Sequence, residues 1–183
     1  MHLPATTLIT LTLAGQALSR AADMVCTAAS ATTLLWRVTG FEYRDQRVAM
    51  GASRLEYGLA NFTLQNSALA HKTTCTAVST RSSSPGFFAG DVAYDCAVRA
   101  DAKGDLSRFA FDRASGLLTI NQTWACDRDG SRFGGQGQVR LSLKCSGREQ
   151  SSTLHSGTNY SDRSVVCDKV NVPVNITYLQ GTI

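Results

Sequence analysis

The chain has 183 residues, 43% of them hydrophobic and 17% charged, with a formal charge of +4 and an isoelectric point near 8.8. That suits one domain with a sizeable core and gives no sign of a membrane protein. The basic excess is too slight and too scattered for a nucleic-acid groove, since its densest run, Arg37, Arg44, Arg47 and Arg54, is interleaved with Glu42, Asp45 and Glu56.

Residues Leu3 to Leu18 are rich in Leu, Thr and Ala, carry no charge, and run into the small residues Ala17, Ser19 and Ala21. This is the pattern of a secretory signal peptide. Residues 1–19 are expected to be removed, with the cut between 19 and 22, leaving residues 20–183 as a single extracellular domain. From there to Ala31 the sequence reads as a small, polar tether.

Leu34, Trp36 and Val38 alternate with Leu35, Arg37 and Thr39, which predicts a strand with Trp36 aimed at the core. Phe41 to Ser53 mixes charges with aromatics and fits either strand or irregular loop. The alternation of Leu55, Tyr57 and Leu59 gives way to Phe62 and Leu64, a slip near Gly58 that reads as a β-bulge. Thr73–Val78 and Asp91–Val98 are short β-prone runs. The Ser-rich segment Ser79–Gly86 between them is a loop, anchored by Phe87 and Phe88. Asp101 to Asp105, with Gly104, is a turn.

The most legible stretch follows. Phe109 and Phe111 lead into a polar turn at Asp112–Gly116, and then Leu118, Ile120, Gln122, Trp124 and Cys126 recur with period two. After a glycine-rich interruption, Gly134, Gly135 and Gly137, the period returns with Val139, Leu141, Leu143 and Cys145. These predict three antiparallel strands forming one wall, the last two each ending in cysteine. Ser146 to Ser164 reads as a long polar surface loop. The final strand carries Val170, Val172, Val174 and Ile176 on one face, and Pro173 assigns it to a sheet edge or a bulge. No helix is expected after residue 20. The fold class is therefore all-β, a single antiparallel barrel or sandwich stapled by disulfides.

Six cysteines, Cys26, Cys75, Cys96, Cys126, Cys145 and Cys167, form an even set in an exported chain, which implies bridges. Their spacing lacks CxxC, and beyond the leader only His71 and His155 could join them on a metal, so neither metal nor other cofactor is expected. Strand adjacency favours Cys126 with Cys145 and Cys75 with Cys96, which leaves Cys26 for Cys167. Four N-glycosylation acceptors occur, at Asn61, Asn121, Asn159 and Asn175, with Asn121 and Asn175 on the polar faces of their strands.

For catalysis the inventory is thin. No G-x-S-x-G turn presents a nucleophile, and Asp95, Asp101, Asp127 and Asp129 sit mostly beside turns, where Asp is common for backbone reasons. Glu42, Glu56 and His71, the parts of a ribonuclease, form no recognisable cluster. A non-enzymatic protein is expected. The alternatives are a small secreted hydrolase acting on RNA or glycan, and a carbohydrate-binding module. The latter needs exposed aromatics from Trp36, Trp124, Tyr43, Tyr57 or Tyr160, and both tryptophans are expected to be buried instead.

The order Cys26, Trp36-Arg37-Val38, Cys75-Thr76-Ala77, Tyr94-Asp95-Cys96, Phe109-Ala110-Phe111-Asp112 and Ser115-Gly116-Leu117-Leu118 resembles the fungal family typified by the Alternaria major allergen. The likeness spans roughly Cys26 to Cys145. It implies a secreted antiparallel β-barrel without established catalytic residues, and a role as an apoplastic effector or allergen. The partner it implies is a host defence protein outside the cell or a small phenolic ligand, with no nucleic acid and no membrane. Some family members join subunits through an odd cysteine. Here Cys167 offers Cys26 a partner in the same chain, so a monomer or a non-covalent dimer is expected. The tail from Ser146 to Ile183 is longer than the family pattern.

Overall fold

The computed structural model describes residues 26–32, 34–81, 86–97, 104–126, 130–154 and 157–182. The leader and its cleavage site, most of the Asp101–Asp105 turn, His155, Asp127 and Asp129 lie outside them. The described residues form ten strands: β1 (Trp36–Met50), β2 (Ser53–Asn66), β3 (Lys72–Ser79), β4 (Tyr94–Asp95), β5 (Leu106–Asp112), β6 (Leu117–Ala125), β7 (Arg132–Arg140), β8 (Cys145–Thr153), β9 (Asn159–Cys167) and β10 (Val170–Thr182).

Strands β3, β2, β1, β10, β7, β6, β5 and β4 neighbour one another in that order, every pair antiparallel. The two ends of this path meet. The Cys75–Cys96 bridge and a hydrogen bond from the Ala97 amide to the Thr74 carbonyl (2.8 Å) tie β3 to the segment after β4, so the sheet curls into a nearly closed barrel.

β1 runs straight through the segment that sequence left undecided. It pairs with β2 along its whole length, with β10 through its first half and with β9 through its second. Between Thr39 and Glu42 it advances three residues while β2 advances two, from Thr63 to Asn61. The extra residue is accommodated at Gly40, whose φ of 64° is left-handed. The bulge reverses the parity of the strand, so Trp36 and Val38 before it and Phe41 and Tyr43 after it are all buried.

No bulge occurs near Gly58, where one was expected. Gly58 stands in regular register opposite Asp45 and Ser79, and the inward face of β2 is simply Gly58, Ala60, Phe62 and Leu64. Small inward residues hid that face from the alternation. Gly58 is small because Phe87 packs on it: a Cβ there would lie 2.7 Å from the Phe87 Cβ. Phe87 and Phe88 are both buried, anchoring the loop as expected.

The wall of β5, β6 and β7 forms in the expected order, with Leu118 opposite both Phe111 and Val139. The glycine-rich segment is not an interruption, however, but the body of β7 itself. Its inward residues Gly135 and Gly137 leave the space that the Trp36 ring fills. Around them the core is aromatic: Phe41, Tyr43, Phe62, Phe88, Phe109 and Phe111 form one cluster of ring contacts, and Trp36, Trp124 and Phe133 a second. Two of the polar groups among them are paired, Asn66 Nδ2 donating to Gln122 Oε1 (2.9 Å) and Trp124 Nε1 to Ser30 Oγ (2.9 Å), while the buried Trp36 Nε1 has no hydrogen-bond partner among the described residues.

Two of the three expected bridges are wrong. The bridges are Cys26–Cys126, Cys75–Cys96 and Cys145–Cys167. Cys126 follows the turn end of the β6–β7 hairpin, beyond the Ala125–Arg132 pair, whereas Cys145 lies past its open end, beyond Leu117–Arg140. A strand length separates them. Cys126 instead meets Cys26 on a short helix, residues 26–32, which sequence periodicity missed because the segment makes barely two turns. Cys145 stands directly opposite Cys167, because residues 145–167 are not a loop but the β8–β9 hairpin. That hairpin is polar on both faces, β8 being exposed throughout, so no hydrophobic alternation announced it.

β10 is not an edge strand either. It joins the two halves of the barrel, pairing with β1 through Val170–Val174 and with β7 from Asn175 onward. Pro173 sits where only β1 is its partner, so the missing amide leaves the β7 ladder intact.

Candidate recognition face

The barrel interior is filled with rings, so the candidate site is on the outside. One stretch of that exterior is the outer face of β5, β6, β7 and β10. Two cross-strand rows run over it. Leu106, Thr123, Gly134 and Gln180 make one, and Arg108, Asn121, Gln136 and Tyr178 the other. With strands about 4.8 Å apart, each row is roughly 14 Å long.

A shallow groove of about 320 Å³ follows these rows. Gly134 is its floor. A Cβ at that position would approach Gln180 Nε2 to 3.3 Å and Thr123 Cγ2 to 3.7 Å, so the absent side chain is what makes the depression. Tyr178 stands on one flank, 55% exposed, its hydroxyl donating to Gln180 Oε1 (2.8 Å). Across from it Arg108 is neutralised by an exposed ion pair with Asp95. The groove is thus lined by side-chain amides, a hydroxyl, one ring and a compensated charge.

Tyr178 is the residue that sequence reasoning missed. Continuing the alternation Val172, Val174, Ile176 points it inward. Between Ile176 and Tyr178, however, β10 advances two residues while β7 advances one, from Gly137 to Gln136. The extra residue, Thr177, turns Tyr178 outward and Leu179 toward Gly135. Among the aromatics considered for a binding module, Trp36, Trp124 and Tyr43 are buried, and Tyr57 and Tyr160 are half-buried.

The glycosylation candidates are dispersed. Asn121 stands within the groove. Asn175 is exposed on the same outer face beside Gln138, Asn159 is exposed where β9 begins, and Asn61 is half-buried in β2.

Among the described residues the candidate catalytic groups do not converge. Asp95 is engaged by Arg108, Glu42 by Lys169 (3.6 Å), and Glu56 is cross-strand from Arg47 near the β1–β2 turn. His71 lies beyond the other end of β2, which runs about 33 Å from Glu56 to Asn66. There its Nε2 meets Asp105 Oδ2 at 3.3 Å, and Asp105 Oδ1 accepts from the Ala125 amide (3.1 Å). This contact ties the β2–β3 turn to β5 and β6. Among the described residues no group of three or more His, Cys, Asp or Glu is arranged to hold a metal, and no helix is long and apolar enough to cross a membrane.

Tyr43 is deeply placed: burial first, then Asp45, whose carboxylate accepts from the phenol at 2.7 Å, holds its hydroxyl well above the ordinary tyrosine range. The Arg113 guanidinium lies over its ring and reaches the exposed Cys145 sulfur (3.3 Å).

The family model described as Alternaria alternata allergen 1 matches residues 38–167. No curated protein and no solved structure matches the chain at the same standard. The matched segment begins within β1 and ends with β9, so the helix at residues 26–32 and all of β10 lie outside it.

Proposed function

The chain belongs to the Alternaria alternata allergen 1 family, and from that premise we propose that it is a secreted, non-enzymatic protein that works by surface recognition. Its partner on this reading is a host extracellular defence protein or a small ligand, bound outside the cell in the manner of an effector. The observation that supports the reading best is the division of labour between the two sides of the sheet. The inner side is consumed by ring packing and closed by three bridges, and the outer side carries the exposed polar groups and an exposed tyrosine.

The hydrolase reading has one foothold, the contact of His71 with Asp105. Both partners there are accounted for by the turn they hold, and the carboxylates proposed with them lie elsewhere. A leaf infiltration assay tests the proposal: the native secreted protein triggers or suppresses an oxidative burst, and a reduced and alkylated sample does not. Loss of that difference, together with turnover of RNA or cell-wall glycan that disappears in His71→Ala, overturns it.

A further inference from the structure

The geometry points to a binding site for an extended neutral glycan on the groove over Gly134. This goes beyond the reading above, which concerns a defence protein or small ligand and stands or falls separately. Three features of the groove carry it.

The first is the donor set. Asn121, Gln136 and Gln180 each offer an amide that donates and accepts, and Thr123, whose hydroxyl donates to the Gly104 carbonyl (3.4 Å), adds an acceptor. Such a set matches the hydroxyls of a sugar chain, which also donate and accept. The second is the charge balance. Arg108 is paired with Asp95, so the groove presents little net charge and favours a neutral chain over an acidic one. The third is shape. The missing side chain at Gly134 leaves a shallow depression flanked by Gln180 and Thr123, Tyr178 offers an exposed aromatic surface for the apolar face of a sugar ring, and the rows of roughly 14 Å span a few sugar units end to end. One residue of each row, Gln180 and Tyr178, is supplied by β10, beyond the segment that matches the family model.

The test uses the secreted protein after enzymatic removal of any N-glycan, because Asn121 sits in the groove. Titration calorimetry is run with hexasaccharides of β-1,3-glucan, β-1,4-glucan and chitin, and with an oligogalacturonide as the acidic counterpart. Saturable binding of at least one neutral hexasaccharide is expected. Tyr178→Ala and Gly134→Val should each weaken it about tenfold or more, as truncating an aromatic anchor or filling its pocket does. Gln136→Ala, on the exposed face, serves if either variant fails to fold. No binding of any neutral hexasaccharide, binding of the acidic oligomer alone, or binding that folded variants leave unchanged would each overturn the assignment.

Discussion

Gly135 lies directly beneath the ring of Trp36: a Cβ at this glycine would stand 2.9 Å from Trp36 Cζ2 and 3.0 Å from Cη2. Gly137, one inward position along β7, is closed off in the same way by Val174 and Trp36. The barrel therefore sets a large indole against the stretch of β7 between Phe133 and Val139 that has no inward side chains, and each requires the other. Gly135→Ala should destabilise the fold by about 1–3 kcal/mol through overpacking. Gly147→Ala, on the exposed strand β8 with only a 3.8 Å contact to the Ser164 carbonyl, should change little. Urea titration of both variants checks the pair, and equal midpoints would contradict the packing.

The Cys26–Cys126 bridge closes the longest loop of the three, 100 residues of sequence separation against 21 and 22. On the chain-entropy model, Cys26→Ser with Cys126→Ser costs about 4–5 kcal/mol, against about 3 for either shorter bridge. Non-reducing peptide mapping of the purified protein should yield Cys26 joined to Cys126 and Cys145 joined to Cys167. A peptide joining Cys126 to Cys145 would refute the fold as described.

Trp124 is 1% exposed, and its indole N–H is answered by Ser30 on the short helix. Ser30→Ala removes that acceptor from a buried donor, so a loss of about 1–3 kcal/mol is expected. Near-ultraviolet circular dichroism should show the tryptophan signal retained, with the thermal midpoint lowered.

Asp112 organises the β5–β6 turn, accepting from the Ser115 hydroxyl (2.6 Å) and the Ala114 amide (2.9 Å). The Ser115 bond first, against the opposing effect of burial and with the backbone amides of Ala114 and Ser115 adding to it, holds the Asp112 carboxyl below the ordinary aspartate range. A carboxyl depressed in the folded state contributes stability that is present above its unfolded pKa of about 4 and is lost as pH falls through the lower folded value. Asp112→Asn should therefore be less stable than the parent near neutral pH by about 1 kcal/mol, with the gap closing as pH falls through the depressed folded value. A gap that stays constant between pH 7 and pH 2.5 in thermal melts would rule the carboxylate out.

Much of the fold was readable where one face of a strand is apolar and regular. Leu118, Ile120 and Trp124 alternate without a break, and the structure places all three in the core. The reading failed where that signal is absent or reset. In β8 and β9 the faces are largely polar, β8 being exposed throughout and joined to the sheet through β9 alone, so the strands resembled a loop. In β7 glycines hold inward positions because a neighbour's indole occupies the room, so the strand resembled a break. The recognition face was hidden for a third reason: an extra residue at Thr177 decides which way Tyr178 points, and a bulge in β10 is defined only by its partner strand.

By itself the sequence determined the strand-rich class, the family and the existence of bridges, because period two, motif order and an even cysteine count are local or countable properties. Only the tertiary structure decided which cysteines meet and which side chains share the outer face. Both depend on register between strands far apart in the chain, and register is a relation between two segments that neither one carries alone.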